Sequence, residues 1–138
     1  MQRTLACAVL AAASLSAAAQ SMEPGEWQFV TTMTSPMMPK PQTSTITQCV
    51  SKQEADDPTR FTAKEEASDC VVTPGVRTAS SYTWTVSCPK QGMSGKGSAR
   101  FSRGTVESDV QVTMEGQGQK MDMRTTMSGR HVGPCRTK

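Results

Sequence analysis

Two consecutive segments between residues 106 and 127 alternate between apolar and polar side chains, and this pattern constrains the fold more than any other feature of the chain. In the first segment Val106, Val110 and Val112 alternate with acidic, amide and hydroxyl side chains. An alternation with period two and one polar side is typical of a half-buried antiparallel strand. A second alternating segment, residues 120–127, follows the turn-forming residues 116–118. The sequence therefore predicts a β-hairpin.

A single register of this hairpin satisfies both of its sides. It places polar groups, including the opposite charges of Glu115 and Lys120, together on one side and apolar groups together on the other, as a sheet with one buried face requires. The predicted pairs are Glu115 with Lys120, Thr113 with Asp122 and Gln111 with Arg124 on the polar side, and Met114 with Met121 and Val112 with Met123 on the apolar side.

Similar patterns extend the prediction to most of the chain. A tight turn at residues 102–105 sets Phe101 opposite Val106, so residues 95–127 form a three-strand meander. Further strands are predicted at residues 27–34 and 43–50, with another pair within residues 70–88. We therefore expect a mainly β, antiparallel fold of about seven strands. The spacing does not distinguish an open curved sheet from a partly closed barrel.

One short helix is expected between the second and third cysteines of the chain. Ser51 with Glu54 resembles a capping box, and Asp57 with Pro58 is typical of a helix start. We place the helix at about residues 58–67, with Phe61 as its main apolar contact.

The first nineteen residues have the layout of a secretory signal. Arg3 precedes an apolar run of small residues, and the three alanines that end at Ala19 supply a cleavage pattern. We expect residues 20–138 to form one exported domain, periplasmic or secreted, that is not an integral membrane protein. Lysine and arginine total 15 against 12 acidic residues and form no basic run, which argues against nucleic-acid binding.

Four cysteines follow this leader: Cys49, Cys70, Cys88 and Cys135. An even number in an exported chain predicts two disulfides. A zinc site or a thioredoxin-like site needs closely spaced cysteines, and the sequence contains no C-x-x-C and one histidine.

The strand pair within residues 70–88 favours one of these disulfides. If its turn centres near Ala79, Cys70 lies opposite Cys88, close enough to bond. The alternative is a turn at Pro74 and Gly75, which would shift the register. Proline is also tolerated on an edge strand or at a bulge.

The remaining candidate chemistry is sparse. Met114, Met121 and Met123 carry thioethers that suit Cu(I), a soft ion. Since the predicted register buries them and the chain has few aromatic residues, we interpret them as core and expect no cofactor. His131 has no evident catalytic partner in the sequence, so we expect no enzymatic activity.

Several short motifs together resemble a known family. They are MEPGEW at residues 22–27, CVS at Cys49, Cys70, Trp84 with Cys88, GKG at residues 95–97 and GPC at residues 133–135. The chain resembles the bacterial exported domain of unknown function 3617 over nearly all of the expected mature chain. The resemblance implies a small β-rich exported domain with no established activity, and no catalytic residue carries over. If Cys70 pairs with Cys88, the second disulfide joins Cys49 to Cys135.

These observations favour a non-enzymatic envelope domain. A curved sheet has a concave side, and concave apolar surfaces bind ligands. The first hypothesis is binding of a lipid-like ligand or an envelope protein partner. The alternative is a periplasmic Cu(I)-binding protein that uses Met114, Met121 and Met123.

Overall fold

A computed structural model describes residues 22–56 and 69–136 of the chain. The expected signal (residues 1–19) and the expected helix (58–67) both lie outside these ranges. The strands are β1 (Gly25–Thr34), β2 (Gln42–Val50), β3 (Val71–Arg77), β4 (Ser81–Cys88), β5 (Met93–Ser102), β6 (Thr105–Gly116) and β7 (Gln119–Gly133). A helix α1 (Lys52–Asp56) follows β2, and a 3-10 turn (Pro89–Gln91) precedes β5.

All seven strands form one antiparallel sheet in the order β2-β1-β7-β6-β5-β4-β3. Strands β3 to β7 follow each other as a meander, which confirms the predicted topology. Strand β7 then pairs with β1 over nearly the whole of β1, from Glu26 to Thr34. The sheet is open, with β2 and β3 as its edges, so the described strands do not close into a barrel.

The predicted registers of the meander are confirmed. Glu115 lies opposite Lys120, and Met114 lies opposite Met121. Phe101 lies opposite Val106, where the turn at 102–105 places it. Side chains on facing strands thus match on both sides of the sheet, which fixes the register because a slip of one residue would exchange the two faces.

The core lies on the apolar face of the sheet, defined by the side chains that share the side of Trp27. Trp27 and Val50 are fully buried, and Phe29, Trp84 and Phe101 are nearly so. Glycines on this face leave room for the rings. Phe29 packs where a side chain at Gly129 would lie, and Trp84 does the same at Gly97.

The capping box expected at Ser51 and Glu54 is present and begins the described helix. The Ser51 hydroxyl accepts from the backbone N–H of Glu54, and the Glu54 carboxylate accepts from the N–H of Ser51. This capping box starts α1 at Lys52, because it satisfies the free N–H groups of the first turn. The expected helix at 58–67 lies outside the described residues. Ala55 turns inward and is fully buried with Val50.

Two disulfides tie the sheet together. Cys70 bonds to Cys88, with Cα atoms 4.1 Å apart, as the predicted register requires. Pro74 and Gly75 lie inside edge strand β3, whose register shifts between Pro74 and Arg77, so they do not form the turn. Cys49 bonds to Cys135 across 86 residues and joins β2 to the end of the described chain.

Candidate functional site

The polar face of the sheet, on the side opposite Trp27, carries a groove of about 830 Å³. Its floor crosses the strands from β1 to β4, and most of the residues that line it carry a hydroxyl, amide or charged group. The polar side chains that line it are Thr32, Thr83, Thr85, Lys96, Ser98, Arg100, Glu107, Asp109, Gln111, Thr126 and Ser128. The sequence led us to expect ligand binding at an apolar concave surface, whereas most of the residues that line this groove are polar. Alternation sends the polar side chains of each strand to this face and the apolar ones to the core.

Opposite charges meet across neighbouring strands within the groove. Arg100 lies directly opposite Glu107 in the β5–β6 register. The Asp109 carboxylate accepts from Arg124, whose Nε lies 2.9 Å away. This hydrogen bond, together with the charge of Asp109, raises the pKa of Arg124 above its usual value. Lys96 faces the amide of Gln111 rather than a carboxylate. The groove therefore offers hydroxyls, an amide and a lysine whose cross-strand neighbour is uncharged.

The apolar face carries a row of methionines at the end of the sheet remote from Trp27. Met93 lies opposite Met114, and Met114 lies opposite Met121, so three thioether side chains stand side by side on β5, β6 and β7. Met123 follows on the same face, two residues along β7. All four are half-buried. We call Met93, Met114, Met121 and Met123 the methionine cluster.

Sequence reasoning found three members of this cluster and missed Met93. It began β5 at residue 95, whereas the strand starts at Met93. The signal was present, because extending the predicted pairing of Phe101 with Val106 by eight residues brings Met93 opposite Met114. Cys88 lies opposite Met93, and its sulfur is held in the disulfide with Cys70.

His131 fixes the opening segment of the described chain. Its ring meets Trp27 edge-on at 5.6 Å, and its Nε2 lies 3.3 Å from the carbonyl oxygen of Pro24. The indole N–H of Trp27 donates to the carbonyl of Glu23 at 2.8 Å. Gly25 has a φ of +145°, and a side chain there would overlap His131. These contacts give residues 24–27 of the MEPGEW segment and His131 a packing role.

Two further searches of the described residues bear on function. Within 22–56 and 69–136, no three histidine, cysteine, aspartate or glutamate side chains are grouped closely enough to hold a metal ion. No helix in those ranges has the length and apolar character to cross a bilayer.

Comparison with known proteins gives one match. No curated protein matches the chain, and no solved structure does. A family model described as "Protein of unknown function (DUF3617)" matches residues 22–135. This range runs from the segment held by His131 to the cysteine that closes the second disulfide. It also includes all seven strands, and the chain therefore belongs to the DUF3617 family.

Proposed function

We propose that this protein is an exported, non-enzymatic domain that binds an envelope protein partner through the polar groove. The observation that supports the proposal is the continuous lining of hydroxyl, amide and charged groups across five neighbouring strands, β1, β7, β6, β5 and β4. Export is supported by the leader-like pattern of residues 1–19 and by two disulfides, which persist in oxidising compartments.

The dimensions of the groove suit an extended peptide segment. Five neighbouring strands span about 19 Å between the first and the last, since strands lie about 4.8 Å apart. An extended segment covers that distance with roughly six residues. Hydroxyl groups such as Ser98 and Thr126 can both donate and accept, so they can pair with the backbone of such a segment.

The lining favours a protein over a lipid-like ligand. A lipid tail in this groove would cover hydroxyls and charges without giving them hydrogen bonds, at a cost for each buried group. A protein segment brings its own donors and acceptors. Lys96 and Arg100 are the cations of the groove, so a segment with an acidic side chain would complement it.

Site-specific photo-cross-linking in cells tests the proposal. A photoreactive amino acid at Ser98, on the groove floor, should give a cross-linked protein of defined mass. The same amino acid at Val71, exposed on β3 outside the groove, is the matched control. Combining the Ser98 probe with Lys96→Glu and Arg100→Glu should abolish the product. A lipid adduct, equal cross-linking from Val71, or no product at all would contradict the proposal.

A second candidate function is supported by the methionine cluster. Side chains that are directly opposite each other on antiparallel strands have Cβ atoms about 5 Å apart. Flexible thioether chains on three such strands can converge on one soft ion. The candidate is a Cu(I) site with Met93, Met114 and Met121 as ligands and Met123 beside them. In an oxidising compartment, where the cysteines are held as disulfides, thioethers are the soft ligands that remain.

Competition with a chromophoric Cu(I) chelator, with ascorbate as the reductant, tests this candidate. The wild-type protein should remove one Cu(I) from the chelator, and a variant with Met93→Leu and Met121→Leu should not. Leucine keeps the apolar volume, so the sheet should still fold. Met33→Leu with Met37→Leu, at exposed methionines outside the cluster, is the control. Failure of the wild-type protein to compete, or equal loss in the control, would rule out the site.

A further inference from the structure

The two edges of the sheet are built differently. Edge strand β3 contains Pro74, shifts register before Arg77 and ends on that cation, and each of these features hinders pairing with another strand. Edge strand β2 pairs with β1 in an unbroken register over nine residues. It contains no charge, proline or glycine between Gln42 and Val50. Its outer backbone groups meet no other strand in the described part of the chain.

The side chains of β2 also indicate that this edge, unlike β3, is suited to pairing with another strand. They are exposed from Gln42 to Thr47, on both faces of the strand. Threonine and isoleucine favour extended pairing, and a long uncharged edge strand is a template for another strand.

An apolar row of the sheet also ends abruptly at β2. Phe101, Val106 and Phe29 are buried in one row that crosses the sheet, with Gly129 between the last two. The next position in this row is Ile46, opposite Phe29, and it is 54% exposed. The row stops where a further strand could continue it.

We propose that β2 pairs with β2 of a second copy of this chain, antiparallel and about a twofold axis at Ile46. The two sheets then form one continuous sheet through an interface that is the same patch on both copies. Ile46 of one copy lies opposite Ile46 of the other, and each covers the other where it is now exposed.

The composition of β2 favours a second copy over a different chain. Pairing about Ile46 sets Thr45 opposite Thr47 and Ser44 opposite Gln48, and these hydroxyl and amide pairs are compatible. No like charges face each other in this pairing, since none of the nine residues of β2 is charged. Lys52, just beyond the strand, is already paired with Asp56 at 2.8 Å.

Sedimentation velocity of the disulfide-bonded protein over a range of concentrations tests the proposal. The wild-type protein should show a concentration-dependent monomer–dimer equilibrium. Ile46→Lys places two lysines opposite each other at the axis and should raise the dissociation constant by roughly tenfold or more. Val76→Lys is the matched control, because Val76 is 69% exposed on the other edge strand. It should leave the equilibrium unchanged.

Charge complementation makes the test specific for Ile46. Ile46→Glu alone should weaken the dimer as Ile46→Lys does. A mixture of the two variants should form a mixed dimer, because lysine then faces glutamate. A monomeric wild-type protein at all concentrations would overturn the proposal and leave β2 as an edge for a different chain. Equal weakening by Val76→Lys, or no recovery in the mixture, would also overturn it.

Discussion

The indole ring of Trp84 occupies the space above Gly97 on the neighbouring strand, where a side chain at Gly97 would lie. The same relationship joins Phe29 to Gly129 near the other end of the core. The described strands form one sheet, with no second sheet to cover its apolar face. The two rings cover part of that face, because each lies over the glycine backbone of the neighbouring strand. Each aromatic ring can therefore lie in its observed position only because the residue beneath it is glycine.

Gly97→Ala should destabilise the fold. The added methyl group would overlap the Trp84 ring, and overpacking of this kind typically costs about 1–3 kcal/mol. Urea unfolding measures the change in the free energy of unfolding. Gly116→Ala is the control, since nothing lies within 4 Å of the added atom and Gly116 has no positive φ. Equal effects of the two substitutions would show that the ring does not set the cost.

Removing either disulfide should lower the stability, and the longer loop should matter more. By the chain-entropy estimate, the 86-residue Cys49–Cys135 loop stabilises by about 4.6 kcal/mol and the 18-residue Cys70–Cys88 loop by about 3 kcal/mol. Paired Cys→Ala variants, compared by urea unfolding, measure both values. The reverse order would show that strain or burial, including that of fully buried Cys88, outweighs loop length.

His131→Ala should loosen the opening segment. The substitution removes the edge-on contact with Trp27 and the contact with the Pro24 carbonyl. We expect a loss of roughly 1–2 kcal/mol in the free energy of unfolding. Exchange of the Trp27 indole proton, which donates to Glu23, should accelerate in NMR spectra. The Trp84 indole proton is the internal control, and acceleration of both signals alike would indicate global rather than local loosening.

We expect the Glu115–Lys120 ion pair to stabilise the fold slightly, by an amount that depends on pH. The hydrogen bond to Glu115, and then its charge, raise the pKa of Lys120 above its usual value. A raised folded-state pKa means that the stabilisation is fully present below the ordinary lysine pKa of about 10.4 and is lost as pH rises through the folded value. The contribution is small because the pair is exposed to solvent.

Urea unfolding of the wild type and Lys120→Gln tests this dependence. The wild type should be slightly more stable at pH 7, and the two curves should converge above the folded-state pKa of Lys120. Lys90→Gln, at a lysine outside the pair, is the control. A difference that persists at high pH would show that the lysine acts through packing of its stem instead.

The sequence by itself determined the local pairings of the sheet. Alternation defined the two sides of β6 and β7, and opposite charges such as Glu115 and Lys120 selected their register. The same reasoning also favoured Cys70 opposite Cys88, with a turn at Pro74 and Gly75 as the alternative, and the structure has the favoured pairing. Both partners of each pair lie within one hairpin, whose turn limits the possible registers.

Only the tertiary structure decided the contacts between distant segments. The pairing of β1 with β7 joins Phe29 to Gly129 across a long stretch of chain, and no turn restricts such a pairing. It also makes β2 an edge with Ile46 exposed and forms the polar groove from strands at both ends of the chain. Alternation fixes which side chains share a face, but the order of the strands decides which of those side chains become neighbours.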